Sequence, residues 1–389
     1  MLRIATIVFV LSLLPVAEVS AQETAEDSLL ALPVDSVAPI AADTSAAFLS
    51  DSLSQPVRSR GFFRRIADWF AKFNDIDTVY IEPQHYNFAA MLQNTNVFQV
   101  STFRTKSDFE IRLSPDLKTK VGPYFGWRWV FLGYTIDVKN LFRNTDGTYI
   151  DISLYSNLFN LDLYYLDTGH DFKIRSNHIH PTHDTSGLNG KKFDGLSVKA
   201  RGFNLFYVMN HHHFSYPAAY SQSTVQRRSC GSGLLGLGYA HHSIKLDMNR
   251  IIDMYRLYVP EAQNLESVDI DEELFAANDI HYQTYTLNGG YAYNWVFAKN
   301  WLFSISATLG LSYKITVADL QERKGHPFKD FSADYVNIDF NGRMGVVYNN
   351  TKWFAGFSTI AHNFNYRSDL FTSYNTYGTF NFYVGFNFW

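Results

Sequence analysis

Cysteine is almost missing from this chain of 389 residues: Cys230 is the single thiol, so no internal disulfide framework can staple the fold. No activating group surrounds it in sequence, and it reads as a small filler rather than a nucleophile. Beyond the first residues there is no apolar run near the roughly 20 residues that a membrane helix needs, which excludes crossing by helices. A positive excess is missing too. Lys and Arg number 33 against 37 Asp and Glu, a net charge of −4 that offers nucleic acid no basic field. Nor is there a G-x-S-x-G nucleophile elbow. Aromatics are abundant instead, with 33 Phe and 25 Tyr, and this enrichment without long apolar runs leans towards β structure.

The chain opens "MLRIATIVFVLSLLPVAEVSA", with Arg3, an apolar stretch from Ile4 to Leu14, and small residues up to Ala21. This pattern predicts a secretory signal peptide over 1–21, and Pro15 and Glu18 make it too short for an anchor. Residues 22–58 are rich in Ala, Ser, Asp and Pro with no sustained apolar period, which predicts a disordered acidic linker. A periplasmic N-terminal segment is expected over 59–106. Within it, "GFFRRIADWFAKFN" (61–74) has the spacing of an amphipathic helix, lying on a membrane surface or packed against the rest of the fold.

From 107 to 389 the dominant period is two. In "NWLFSISATLGLSYKITV" every odd position from Trp301 to Val317 is apolar, while Ser304, Ser306, Thr308, Gly310, Ser312, Lys314 and Thr316 alternate with them. "YVNIDFNGRMGVVY" repeats the pattern, and "SDFEIRLS" sets Phe109, Ile111 and Leu113 against charged neighbours. Two architectures suit such strands. A β-sandwich turns its apolar faces inward, whereas a membrane barrel turns them to lipid.

Three features favour the barrel. Tight connections at 128–129, 157–158, 298–299 and 349–350 mostly alternate with long ones at 140–147, 168–194, 243–280, 318–332 and 366–373. Outer-membrane barrels have this asymmetry, with short periplasmic turns and long external loops. Of 7 tryptophans, Trp127, Trp129, Trp295, Trp301, Trp353 and Trp389 fall at one predicted end, as an aromatic girdle at a bilayer interface would. Last, "GTFNFYVGFNFW" (378–389) resembles the closing strand and aromatic terminal signal read by the barrel-assembly machinery of Gram-negative bacteria. The expected fold is an all-β antiparallel transmembrane barrel of the outer-membrane type, with about 12 strands and a range of about 10–14. It places 168–194 and 243–280 outside the cell and Trp389 on the periplasmic side.

One connection breaks the alternation. Where a tight periplasmic turn belongs, 209–228 brings His211, His212, His213, Ser215, Tyr216, Gln222, Gln226, Arg227 and Arg228. Left free, its aromatic side chains would each forgo about 1.5–3 kcal/mol of burial, so it is expected to fold against the lumen wall as a plug or gate, its arginines meeting acids such as Asp339 or Glu110. "NHHHFSYPAAYSQSTVQRRSCGSGLLGLGY", with "DTVYIEPQHYNFAAMLQ" at 77–93 and "GYAYNW" at 290–295, resembles the family catalogued as domain of unknown function 4421. The resemblance runs from about Asp75 to Trp389. It implies an exported β protein of the outer membrane and brings no assigned activity or catalytic residue; no cofactor is expected.

Other chemistry in the chain is sparse. Ser215 among histidines raises a lipid hydrolase, but the segment carries no carboxylate to orient a base, and no enzyme is expected. His178, His180 and His183, with His170 and Asp184 near them, have a spacing that could bind a divalent ion, against the plain reading of a histidine-rich loop. Charges expected inside the barrel are mixed: Glu110, Arg112, Lys120, Arg128, Asp137, Asp151, Asp162, Lys199, Arg201, Lys314, Asp339 and Arg343. A balanced set suits salt bridges that fill a lumen rather than a selectivity ring. The leading functional reading is an outer-membrane barrel that binds or passes a small solute, gated by 209–228. Its rival is a structural or surface-interaction barrel, with a lipid hydrolase third. Expected partners are outer-membrane lipid, the assembly machinery during biogenesis, and a small solute.

Overall fold

The computed structural model describes residues 76–106, 109–127, 130–133, 136–137, 147–180, 182–262, 279–329, 331–367 and 371–389. The expected signal peptide, linker and helix 61–74 lie outside the described residues, as does Trp129.

In chain order the strands are β1 (Ile81–Pro83), β2 (Phe88–Thr105), β3 (Glu110–Pro115), β4 (Lys118–Trp127), β5 (Val130–Gly133), β6 (Ile136–Asp137), β7 (Thr148–Tyr155), β8 (Phe159–Asp167) and β9 (Phe172–His178). They continue as β10 (Lys192–Phe193), β11 (Leu196–Val208), β12 (Thr224–Gln226), β13 (Cys230–Leu246) and β14 (Ile280–Ala298). The last four are β15 (Trp301–Thr316), β16 (Val336–Asn349), β17 (Trp353–Arg367) and β18 (Phe371–Phe388). Helix α1 (Pro217–Tyr220) sits between β11 and β12, and helix α2 (Met248–Tyr258) follows β13. All but β1 and β12 form one antiparallel sheet, in the order β10-β9-β3-β2-β18-β17-β16-β15-β14-β13-β11-β8-β7, with β4 beside β2 and carrying β5 and β6.

The fold is an antiparallel barrel-type sheet. β18 pairs along its whole length with β2, from Phe371↔Thr105 to Phe388↔Phe88, so the last strand lies against the first strand of the large sheet. That first strand begins at Phe88, which corrects the expectation of a periplasmic segment up to 106. Alternation in "FAAMLQNTNVFQVSTFRT" is blurred by Gln93, Asn94, Thr95 and Asn96, so its period does not announce a strand. β3 and β4 are two halves of one stave, the first against Ser101–Arg104 and the second against Phe88–Val97.

Exposure along the strands settles sandwich against barrel. The inward positions are polar: Asn288, Asn294, Ser304, Ser312, Lys314, Asp339 and Arg343 are buried. The outward ones are large and apolar, with Leu287 59%, Leu309 60% and Ile338 63% exposed. Large apolar side chains exposed on strand after strand, with polar ones buried behind them, are the reverse of a water-facing sheet, so this face meets lipid.

At the end remote from the tryptophans the polarity inverts along single strands. Going up β11, outward Tyr207, Leu205 and Phe203 give way to Arg201 and Lys199, while inward Asn204 gives way to Ala200, Val198 and Leu196. The strands therefore leave the membrane and form a conventional water-exposed lobe. Its core gathers Ile111, Leu113, Phe172, Ile174, Leu196 and Ile244 beneath Ile251, Met254 and Tyr255 of α2. "SDFEIRLS" thus faces the other way from the sequence reading: Ile111 and Leu113 are buried in the lobe rather than turned to lipid. Asp247 caps α2, accepting from Arg250 N at 3.2 Å.

At the other end two tight turns hold Asn300 at φ 67° and Thr351 at φ 76°. Asn349 N donates to Asn300 O (2.9 Å) and Asn387 N to Lys352 O (2.7 Å), so these turns and the end of β18 are neighbours. Trp295, Trp301, Trp353 and Trp389 gather there, all exposed. From Trp295 to Tyr285 along β14 is about 33 Å, or about 25 Å along the axis of a barrel with tilted strands, the usual height of the apolar band.

Candidate functional site: the filled lumen

Residues 209–228 fold inward. Phe214, Ser215, Tyr216, Ala218 and Ala219 are all buried. The local sequence dictates the shape: Pro217 starts α1, and Gln222, at φ 59°, turns the chain back after it. α1 packs Ala218 and Ala219 against Ala89, Leu302, Val347, Phe354 and Tyr383 of the wall. Phe214 and Tyr216 fill the space beside Val208, Leu234 and Ala292. β12 then pairs with β1 through Ile81↔Gln226, Glu82↔Val225 and Pro83↔Thr224.

A dense set of hydrogen bonds fixes the segment. Asn294 Nδ2 donates to Ser215 O (2.8 Å) and to Gln226 Oε1 (3.0 Å), which also accepts from Ser215 N (2.9 Å). Gln226 Nε2 reaches His213 O at 2.6 Å and Arg228 O at 3.0 Å. Gln222 bonds Tyr383 OH (2.9 Å) and accepts from Asn349 Nδ2 (3.1 Å). Arg227 pairs with Glu82 and donates to Asn300 Oδ1 at 2.9 Å, rather than meeting Asp339 or Glu110. Arg228 lies over the Tyr80 ring, 5.7 Å from its centroid. The stretches 77–93, 210–239 and 290–295 therefore meet at one place.

Ser215 is not set up as a nucleophile. Its Oγ donates to Asn157 Oδ1 (2.9 Å) and lies 2.7 Å from Thr224 Oγ1, with no histidine among these partners. The His213 ring turns to Asn210 Oδ1 (3.1 Å) and Asp77 (3.4 Å). The His211 and His212 rings lie against each other, tilted by 35° with centroids 4.1 Å apart.

Deeper in, the walls touch across the bore. Tyr164 on β8 lies 6.3 Å from Phe364 on β17 and 6.1 Å from Tyr377 on β18. In the strand order β8 is separated from β17 by β11, β13, β14, β15 and β16, so this contact spans the lumen. Next to it Arg343 pairs with Asp162 and donates to Tyr155 OH at 2.8 Å. Lys314 Nζ meets Asp339 Oδ1 at 2.6 Å, and Ser312 Oγ holds the other carboxylate oxygen at 2.6 Å. Tyr282 stacks on Tyr366 and on His242, both at 4.7 Å. Between His242, Tyr282, Phe364 and Tyr377 lies a void of ≈ 10 Å³, about the room one water needs.

Not every charge expected inside lies there. Asp162, Lys314, Asp339 and Arg343 do. Arg112, Lys199 and Arg201 are exposed on the outer side, and Glu110 pairs with Arg104. The side chains of Arg128, Asp137, Asp151 and Trp127 lie outside the description. His180 stacks on His183 at 3.9 Å, and His183 Nδ1 bonds Tyr255 OH, while His178 stands opposite Glu110 in the register. Among the described residues no three His, Cys, Asp or Glu gather as a metal site. Sequence reasoning missed Glu82, Asn157, Asn294, Asn349 and Tyr383 as anchors of the segment. The signal for two of them was present, since Glu82 and Asn294 stand inside the stretches 77–93 and 290–295.

Residues 75–388 match the family described as domain of unknown function (DUF4421). No curated protein matches the chain in sequence. Among solved structures it is similar to the outer membrane protease OmpT from Escherichia coli, at 7% identity and a TM-score of 0.33, covering 78% of this chain and 97% of that one. It is also similar to the β domain of the Bordetella autotransporter BrkA (10% identity, TM-score 0.31, 76% and 99% covered). A third is the P. putida toluene transporter TodX (8%, 0.21, 78% and 90%). Likeness at this level carries no residue's role over to this chain.

Proposed function

The chain belongs to the family catalogued as domain of unknown function 4421, and on that premise we propose that it is a closed barrel of the outer membrane, one that anchors and presents its ends rather than conducting through its bore. The observation that carries this reading is the contact of Tyr164 with Phe364 and Tyr377 across the lumen. Two further layers support it. The inserted segment fills the tryptophan end, and the lobe under α2 covers the other with a dry core. Passage of a solute, the leading expectation from sequence, would need the inserted segment and the Tyr164 layer to move together. That would break the buried pair of Arg343 with Asp162, whose separation in a low dielectric costs several kcal/mol, on the order of 3–5.

On this reading the chain is exported by residues 1–21, sits with its tryptophan end towards the periplasm, and offers the lobe to partners outside the cell. No reaction is assigned to it. Proteoliposomes carrying the full chain should swell in a small sugar no faster than protein-free liposomes. Swelling at the rate of an open porin would defeat the anchoring reading and restore solute passage.

A further inference from the structure

Three adjacent strands carry matching residues where the lipid-facing band ends. On the outward face, Phe203 of β11 pairs in register with Tyr239 of β13, which pairs with Tyr285 of β14. Their rings form a continuous row, with centroids 6.3 Å apart from Phe203 to Tyr239 and 5.4 Å from Tyr239 to Tyr285. One step further from the membrane centre stands a polar row in the same register, Arg201, His241 and Gln283. Tyr285 OH donates to Gln283 Oε1 at 2.9 Å, tying the two rows together. The next row holds Lys199, Ser243 and His281.

The charge in this patch is unevenly answered. Asp167 takes Lys199 at 2.8 Å, and Asp279 takes both Lys245 (3.2 Å) and His281 (2.9 Å). No carboxylate among the described residues pairs with Arg201, which stands exposed beside His241. A guanidinium so placed is held by the fold at the level of the lipid headgroups, above rings that suit the boundary between headgroup and acyl chain. Guanidinium is also the side-chain group whose planar fork best matches a phosphate.

We propose that this face binds a phosphate-bearing lipid of the outer leaflet, with the phosphate on Arg201, flanked by His241 and Lys199, and the upper acyl chains against Phe203, Tyr239 and Tyr285. The inference rests on the reading of the chain as an outer-membrane barrel. It turns two charges expected inside the lumen, Lys199 and Arg201, into an external lipid contact.

Native mass spectrometry of the full chain released from a neutral detergent tests the site with three probes: bis-phosphorylated lipid A, the same lipid with its phosphates removed, and inorganic phosphate. The phosphorylated lipid should be retained at least about tenfold more strongly than the dephosphorylated one, and Arg201→Ala with His241→Ala should abolish that preference while leaving retention of the dephosphorylated lipid unchanged. Equal retention of the two lipids by the unaltered chain, which needs no variant to fold, would overturn the site. So would an unchanged preference in the double variant, or inorganic phosphate binding as tightly as the lipid. Flotation of the same protein with phosphatidylcholine vesicles separates the two claims. Failure to float defeats the membrane reading itself, whereas floating without a phosphate preference defeats this site alone.

Discussion

Leu309 and Leu257 are almost equally uncovered, 60% and 64% exposed, yet they should answer the same substitution in opposite ways. Leu309 lies on the outward face of β15, opposite Gly289 and Phe340, inside the apolar band between Trp301 and Tyr313, the partner of Tyr285. Leu257 lies on α2 in the lobe. If the outward face of β15 meets hydrocarbon, Leu309→Arg places a cation near the bilayer midplane and costs about 2–4 kcal/mol. If it meets water, the change stays within about 0.5 kcal/mol, as surface substitutions do. Leu257→Arg should stay within that smaller limit in either case. Denaturant titration of the protein folded in phospholipid vesicles, followed by tryptophan fluorescence, yields both values. Equal tolerance of the two substitutions would refute the inside-out assignment of the sheet.

Further expectations concern the interior and the lobe. Asn294→Ala removes the donor to Ser215 O and Gln226 Oε1 in a buried setting and should cost about 1–3 kcal/mol, with faster proteolysis at 209–228; unaltered cleavage would mean the segment is held by something else. Asp162→Asn leaves the Arg343 charge buried and unanswered, for a loss of about 3–5 kcal/mol, whereas Asp162→Leu combined with Arg343→Met should be close to neutral. A single variant no less stable than the double would contradict that pairing. In the lobe, the hydrogen bond from Arg250 Nε (2.7 Å) holds the Asp194 carboxyl below the ordinary aspartate range. A depressed folded-state value means the contribution is present above the unfolded value and is lost as pH falls. Protection of the amides in 248–258, corrected for the intrinsic pH dependence of exchange, should therefore fall below about pH 4 and stay level between about pH 5 and 8.

Period and punctuation carried much of the architecture. β15 and β16 are legible because packing wants one kind of residue on each face along their whole membrane depth. Where a strand serves two environments the reading fails. Lys199 and Arg201 share the outward face with Phe203 and Leu205, so a rule that turns every charge inward along β11 sends them to the wrong side. The same cause reversed Ile111 and Leu113. β2 escaped notice because Asn94 and Asn96 lie along a polar stretch where neither face is apolar enough to set a period. The inward folding of 209–228 was legible from burial alone, since Phe214 and Tyr216 could not stay in water without loss. Its anchors were not, because Asn294 and Glu82 come from distant strands and only the curled sheet brings them within reach. The Tyr164 layer was likewise unreadable, since contacts between opposite walls leave no local trace.

The claim that the bore is shut is tested most directly by single-channel recording on planar bilayers with the full chain inserted. A silent bilayer is expected across the voltage range that leaves the membrane intact, and continued silence after deletion of 212–226, because the Tyr164 layer and the pair of Arg343 with Asp162 still span the lumen. Steady unitary currents from the unaltered chain would contradict it.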